Sequence, residues 1–212
     1  MKNKVKLLIF ASIIAIVFII YIFQTKTYKT IKIGNTINKS AEEIKNYILN
    51  ISSYDLTAEV TINSNKNKNK YIIKQKYEGK EHTFKQEIIE PENIKGLITI
   101  YDGKSLKIEN SNLKLSHIYE NYPWIGNNNL CLNNFIEDYK ESDNTKCWEE
   151  ENKVILETKK EKYIKTLYIN KENMLPCKLI IQNSSKNILV YIEYKEIKTN
   201  KTEKQEILAQ NI

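Results

Sequence analysis

Residues 40–63 read Ser-Ala-Glu-Glu-Ile-Lys-Asn-Tyr-Ile-Leu-Asn-Ile-Ser-Ser-Tyr-Asp-Leu-Thr-Ala-Glu-Val-Thr-Ile-Asn, and the apolar period changes once within them. Ser40 followed three residues later by Glu43 is a capping box, whose two side chains satisfy orphan N–H groups at a helix start. Ile44, Tyr47, Ile48 and Ile51 then recur at helical spacing, predicting about three turns with one apolar face. From Tyr54 the period is two. Tyr54, Leu56, Ala58, Val60 and Ile62 alternate with Asp55, Thr57, Glu59, Thr61 and Asn63, the pattern of a strand with one buried face. A short amphipathic helix feeding such a strand has one ordinary use, which is to cover the sheet.

Working outward, further strands are expected at 69–78, 82–90, 95–102 and 105–109, with Gly79, Pro91, Gly96 and the Asp102-Gly103 hairpin signal between them. Leu132, Phe135, Ile136 and Tyr139 repeat the helical spacing and predict a second helix. Strands resume at 152–159, 162–170, 177–183 and 187–197, the third preceded by Pro176. Nine or so strands with short turns imply antiparallel meanders, because parallel pairing needs long crossovers. The fold class read here is α+β: one large curved antiparallel sheet whose apolar face is covered by helices. Tyr54, Leu56, Val60, Phe84, Tyr101 and Phe135, with the nearby Trp124, are the candidate side chains filling that face. In Tyr122-Pro-Trp-Ile125 the aromatics read as a plug over the core in preference to a binding hot spot.

Toward the N-terminus, Lys2, Lys4 and Lys6 precede an unbroken apolar run from Leu7 to Phe23. As a helix it would be about 25 Å long, just enough to cross a bilayer. It ends in Tyr21-Ile-Phe-Gln24, without the small-residue cleavage site of a signal peptide and without a lipobox cysteine. The expected organisation is a cytoplasmic stub (1–6), a single transmembrane helix (7–23), a tether (24–38), a folded domain (39–198) facing outward and a flexible tail (199–212).

Composition narrows the chemistry. All 33 basic residues are lysine, against 26 acidic ones, for a net charge of +7. With no arginine and no basic stripe the chain lacks the usual means of gripping nucleic acid. Two histidines and three cysteines leave no metal-ligand spacing and no nucleophile–base pair, so no catalytic, cofactor or metal residue is assigned. Cys131, Cys147 and Cys177 are an odd set in an oxidising compartment, allowing one bridge at most, Cys131–Cys147 or Cys147–Cys177. Glu149-Glu-Glu151 reads as a solvated lead-in to a strand.

Two longer stretches carry a resemblance. Glu90-Pro-Glu-Asn-Ile-Lys-Gly-Leu-Ile-Thr-Ile-Tyr-Asp-Gly103 and Leu167-Tyr-Ile-Asn-Lys-Glu-Asn-Met-Leu-Pro-Cys-Lys-Leu-Ile-Ile181 are similar to recurring patterns of the LolA-like superfamily of lipoprotein carriers, with Asn170 where Asp is usual. Within it, the Lys/Asn-rich, membrane-attached character resembles the GerS-related germination proteins of spore-forming bacteria. The likeness spans residues 40–198 and implies an incomplete β-barrel with helices lodged in its concave side. It also implies a non-enzymatic protein that docks on a cell-wall amidase acting on spore cortex peptidoglycan. The alternative it carries is a carrier or sensor of a lipid or lipoprotein acyl chain. One departure is the missing lipobox cysteine, which leaves the helix at 7–23 as the tether.

Overall fold

The computed structural model describes residues 39–64, 66–110, 112–122 and 129–199. The expected membrane span at 7–23, the tether at 24–38, Trp124 and the residues beyond Thr199 lie outside these. Among the described residues no helix is long and apolar enough to cross a membrane. All of them lie in one compact unit, Asn38–Ile212, and the core residues among them form one cluster.

The chain opens with α1 (Ala41–Leu49), where Glu43 N–H donates to Ser40 Oγ and Ser40 N–H to Glu43 Oε2, the capping box in full. Six strands follow: β1 (Ser53–Asn63), β2 (Lys68–Glu78), β3 (Thr83–Glu90), β4 (Leu97–Tyr101), β5 (Leu106–Asn110) and β6 (Leu115–Tyr119). After α2 (Leu132–Glu141) come β7 (Thr145–Glu150), β8 (Lys153–Lys160), β9 (Tyr163–Asn170), β10 (Pro176–Asn183) and β11 (Ile188–Thr199). All eleven join one sheet in the order β6-β5-β4-β3-β2-β1-β11-β10-β9-β8-β7, every pair antiparallel. Two meanders are thus closed together by the first and last strands.

The register shows which face is inward. Tyr54, Tyr77, Phe84, Tyr101 and Leu106 are successive partners across β1 to β5, and all five are buried. On the other flank Leu179, Leu167 and Leu156 are partners across β10, β9 and β8, each fully buried. Both flanks share one core with Ile44 and Ile48 of α1 and Leu132 and Phe135 of α2. Eight strand spacings separate β5 from β8, about 38 Å at ~4.8 Å each if the sheet were flat. Two helices of nine and ten residues are each only about 15 Å long. They reach both flanks because the sheet is bent around them, into an open half-barrel with its helices in the hollow.

Two sequence readings need correction, and the open question of a disulfide has its answer in the geometry. The strands number eleven where about nine are expected, the additions being the two edges, β6 and β7. Glu149 and Glu150 do not lead into a strand but end β7, with Glu151 at φ 50° in the turn to β8. No two of the three cysteines are bridged. Cys147 and Cys177 lie on β7 and β10, which β8 and β9 separate, so a bridge between them has no neighbouring strand to form across.

Candidate functional site: the filled hollow and the open edges

The hollow is where a half-barrel would hold a ligand, and here α2 occupies it. Its sequence, Leu-Asn-Asn-Phe-Ile-Glu-Asp-Tyr-Lys-Glu, is more polar than apolar, yet seven of the ten residues are buried. Burying amides and a carboxylate is costly unless each finds a partner, and the sheet provides them. Tyr54 Oη donates to Asn133 Oδ1 at 2.9 Å. Lys165 Nζ donates to Asp138 Oδ2 at 2.5 Å and also to Asn134 Oδ1. Lys160 reaches the other oxygen of Asp138 at 2.9 Å, and Thr158 Oγ1 donates to the Asp138 carbonyl at 3.3 Å. The helix is therefore clamped from two sides, by β1 through Asn133 and by β8 and β9 through Asp138.

Electrostatics follow from this packing. Burial would raise the Asp138 carboxyl, but hydrogen bonds and charge from Lys165 and Lys160 outweigh it and hold the group below its ordinary value. Burial pushes Lys165 down, with Asp138 offsetting part of the shift. Burial also pushes all three thiols up, Cys131 most of all. None is poised as a thiolate nucleophile near neutral pH. The Tyr194 hydroxyl is buried with no hydrogen-bond partner among the described residues, and burial raises it strongly.

Of the residues singled out in the sequence, Tyr54, Leu56, Val60, Phe84, Tyr101 and Phe135 all point inward and are at most 4% exposed. The turn residues are equally placed. Gly96 and Gly103 take φ values of +76° and +96°, which a side chain would strain. Asp102 accepts backbone N–H bonds from Lys104 and Ser105 at 3.0 and 2.7 Å, and these lower its carboxyl. Pro91 follows β3 and Pro176 opens β10. Of the Tyr122–Ile125 segment only Tyr122 is described, and it is exposed. Sequence reasoning missed Asn133, Asn134, Asp138 and Lys165. One signal was available, since Lys165 stands in phase with Tyr163, Leu167 and Ile169, an inward position holding a charge.

An open depression of about 750 Å³ lies at one end of the hollow, lined by Tyr77, Glu81, His82, Tyr101, Asp102 and Glu137 among others. Its carboxylates suit water better than an acyl chain. Among the described residues no group of three or more metal-ligating side chains comes together.

The two sheet edges differ. β7 is guarded by ion pairs, Lys146–Glu157 at 3.0 Å and Lys171–Glu149 at 2.6 Å. β6 has every residue exposed. Of seven exposed large apolar side chains among the described residues, Leu113, Leu115, Ile118, Tyr119 and Tyr122 cluster here. The Tyr119 ring lies 4.4 Å from His117 and 6.1 Å from Tyr122.

No protein-family profile matches the sequence, and no curated protein matches it. Solved structures do match in fold. An uncharacterised conserved protein from Thermus thermophilus superimposes with a TM-score of 0.51 at 13% identity, covering 80% of this chain and 93% of that one. The complex of the CwlD amidase with the GerS lipoprotein from Clostridioides difficile matches at 0.46 and 22% identity, over 73% and 91%. A LolA superfamily protein from Nitrosomonas europaea matches at 0.40 and 12% identity, over 79% and 96%. The likeness is one of fold alone.

Proposed function

We propose that this chain is a non-catalytic binding protein held at the outer face of a cell membrane by residues 7–23. Its partner is a cell-wall amidase of the kind that modifies spore cortex peptidoglycan. The observation that carries the reading is the occupied hollow. Ile44, Ile48, Leu132 and Phe135 are fully buried there, and α2 is held by charge-assisted hydrogen bonds that a passing lipid would have to break. A domain whose interior is already filled acts through its outer surface and rim. The partner class comes from the GerS-related resemblance in the sequence. A tether would confine a bound amidase to the membrane–wall boundary and raise its local concentration there.

Membrane fractionation tests this. Candidate sporulation amidases are co-expressed with the full chain or with residues 38–212. An amidase should sediment with membranes carrying the full chain and stay soluble beside the shortened one. Amidases that remain soluble with both forms would overturn the proposal.

A further inference from the structure

We infer that β6 is a self-pairing edge, joining two copies of this chain through an antiparallel, two-fold β6–β6 contact centred on His117. This does not depend on the amidase reading. An exposed apolar edge strand is a ready template for another chain unless a protein guards it with charge, proline or cover. β7 is guarded in that way, its Lys146 and Glu149 already engaged with Glu157 and Lys171. β6 is not. Its five residues, Leu-Ser-His-Ile-Tyr, carry no carboxylate or lysine, and all are exposed.

The flanking charges select a second copy and its register. Lys114 precedes the strand and Glu120 follows it, and among the described residues neither has an ion-pair partner. Centred on His117, the antiparallel register brings Lys114, in the turn that enters the strand at φ 51°, to the same end of the pairing as the partner's Glu120, in the turn that leaves it, twice by symmetry. It also sets Leu115 against the partner's Tyr119, and Ser116 against the partner's Ile118. Shifting the register by one residue leaves both charges facing uncharged side chains. A parallel arrangement puts lysine beside lysine. Cross-strand pairs of opposite charge and of aromatic with aliphatic are the stabilising ones, and directly opposed like charges the destabilising ones. On β6 the inward-side residues Leu115, His117 and Tyr119 continue the rows of Asn110, Ile108 and Leu106 on β5. The contact therefore extends one sheet into the next, adding the partner's rows to both faces.

The register makes a sharp test by thiol cross-linking, carried out on the full chain in mild detergent and on residues 38–212 in buffer. Cys147→Ser and Cys177→Ser first remove the two accessible thiols. His117→Cys is then placed opposite itself. Directly opposed antiparallel residues have Cα atoms about 4.5–5.5 Å apart, within the ~4.4–6.8 Å that a disulfide spans. Mild oxidation should convert His117→Cys to a covalent dimer. Ser116→Cys and Ile118→Cys should each resist alone but cross-link when mixed, since they face each other. In sedimentation equilibrium, Lys114→Glu or Glu120→Lys should each weaken the dimer about tenfold, and the double reversal should restore it. These side chains are exposed, so unchanged melting curves check that each variant is folded. The inference fails if the parent chain sediments as a monomer up to millimolar concentration. It also fails if Ser116→Cys alone cross-links as fast as His117→Cys, or if the double reversal stays as weak as either single change. Loss of amidase binding by these variants in a chain that is always monomeric would assign the edge to the enzyme and overturn self-pairing.

Discussion

Replacing Lys165 with methionine removes the ammonium that holds α2 in the hollow while roughly keeping the volume. The side chains of Lys165 and Asp138 are only 5% and 9% exposed. Breaking a buried ion pair from one side costs about 3–5 kcal/mol, because a charge is left in poor solvent. Two details place this case at the lower end. Lys160 still reaches Asp138 at 2.9 Å, and it is 42% exposed, so water can help. Against that, Asn134 Oδ1 also loses its donor. The expected loss is about 3 kcal/mol, or a fall in Tm of about 6–12 °C for a domain of this size. Urea denaturation of residues 38–212, followed by circular dichroism, measures it. Lys165→Met combined with Asp138→Leu should recover most of the loss, since an apolar pair of similar volume leaves no stranded charge.

The same pair sets an acid limit. Asp138 is held below its unfolded value, so its contribution is full above about pH 4 and is lost as pH falls through the range below that. The double variant should lose less stability there than the parent chain. If Lys165→Met alone stays within about 0.5 kcal/mol of the parent, or if the two changes simply add, the clamp is not what holds the helix.

Three further outcomes are expected. Phe135→Ala, at a fully buried site, should cost about 3–5 kcal/mol by the same denaturation assay, and a smaller loss would mean the hollow can collapse around α2. A soluble thiol reagent added to the native domain should modify the exposed Cys147 first and leave the buried Cys131 until unfolding; early labelling of Cys131 would mean that α2 opens. Protease applied to intact protoplasts should remove a C-terminal tag, whereas a protected tag would reverse the proposed topology.

The centre of the sheet was legible in the sequence because burial on one face imposes the period of two. Tyr54, Leu56, Ala58 and Val60 must all face the core, and their strand has a partner on both sides. Its edges were not legible for the opposite reason. β6 pairs only with β5 and has no buried residue, so nothing forces Leu115-Ser-His-Ile-Tyr119 into alternation. β7 has no buried residue either, and its Lys, Trp and Glu side chains read as loop. For α2 the apolar spacing predicted the helix and Phe135 its inward face. The buried amides and Asp138 escaped because their partners, Tyr54 and Lys165, lie 79 and 27 residues away. Only the fold brings them into one hollow. The capping box at Ser40 and the Asp102-Gly103 turn were readable because their hydrogen bonds are local.

The central claim is that the hollow is filled by the chain itself and that binding happens outside it. Size-exclusion chromatography of the chain co-expressed with sporulation amidases, with lipid extraction of every protein peak, tests this most directly. The account predicts a peak containing the chain and an amidase together, from which no stoichiometric lipid is extracted. A chain that elutes without any amidase and yields one equivalent of acyl lipid would contradict it, and the carrier reading would take its place.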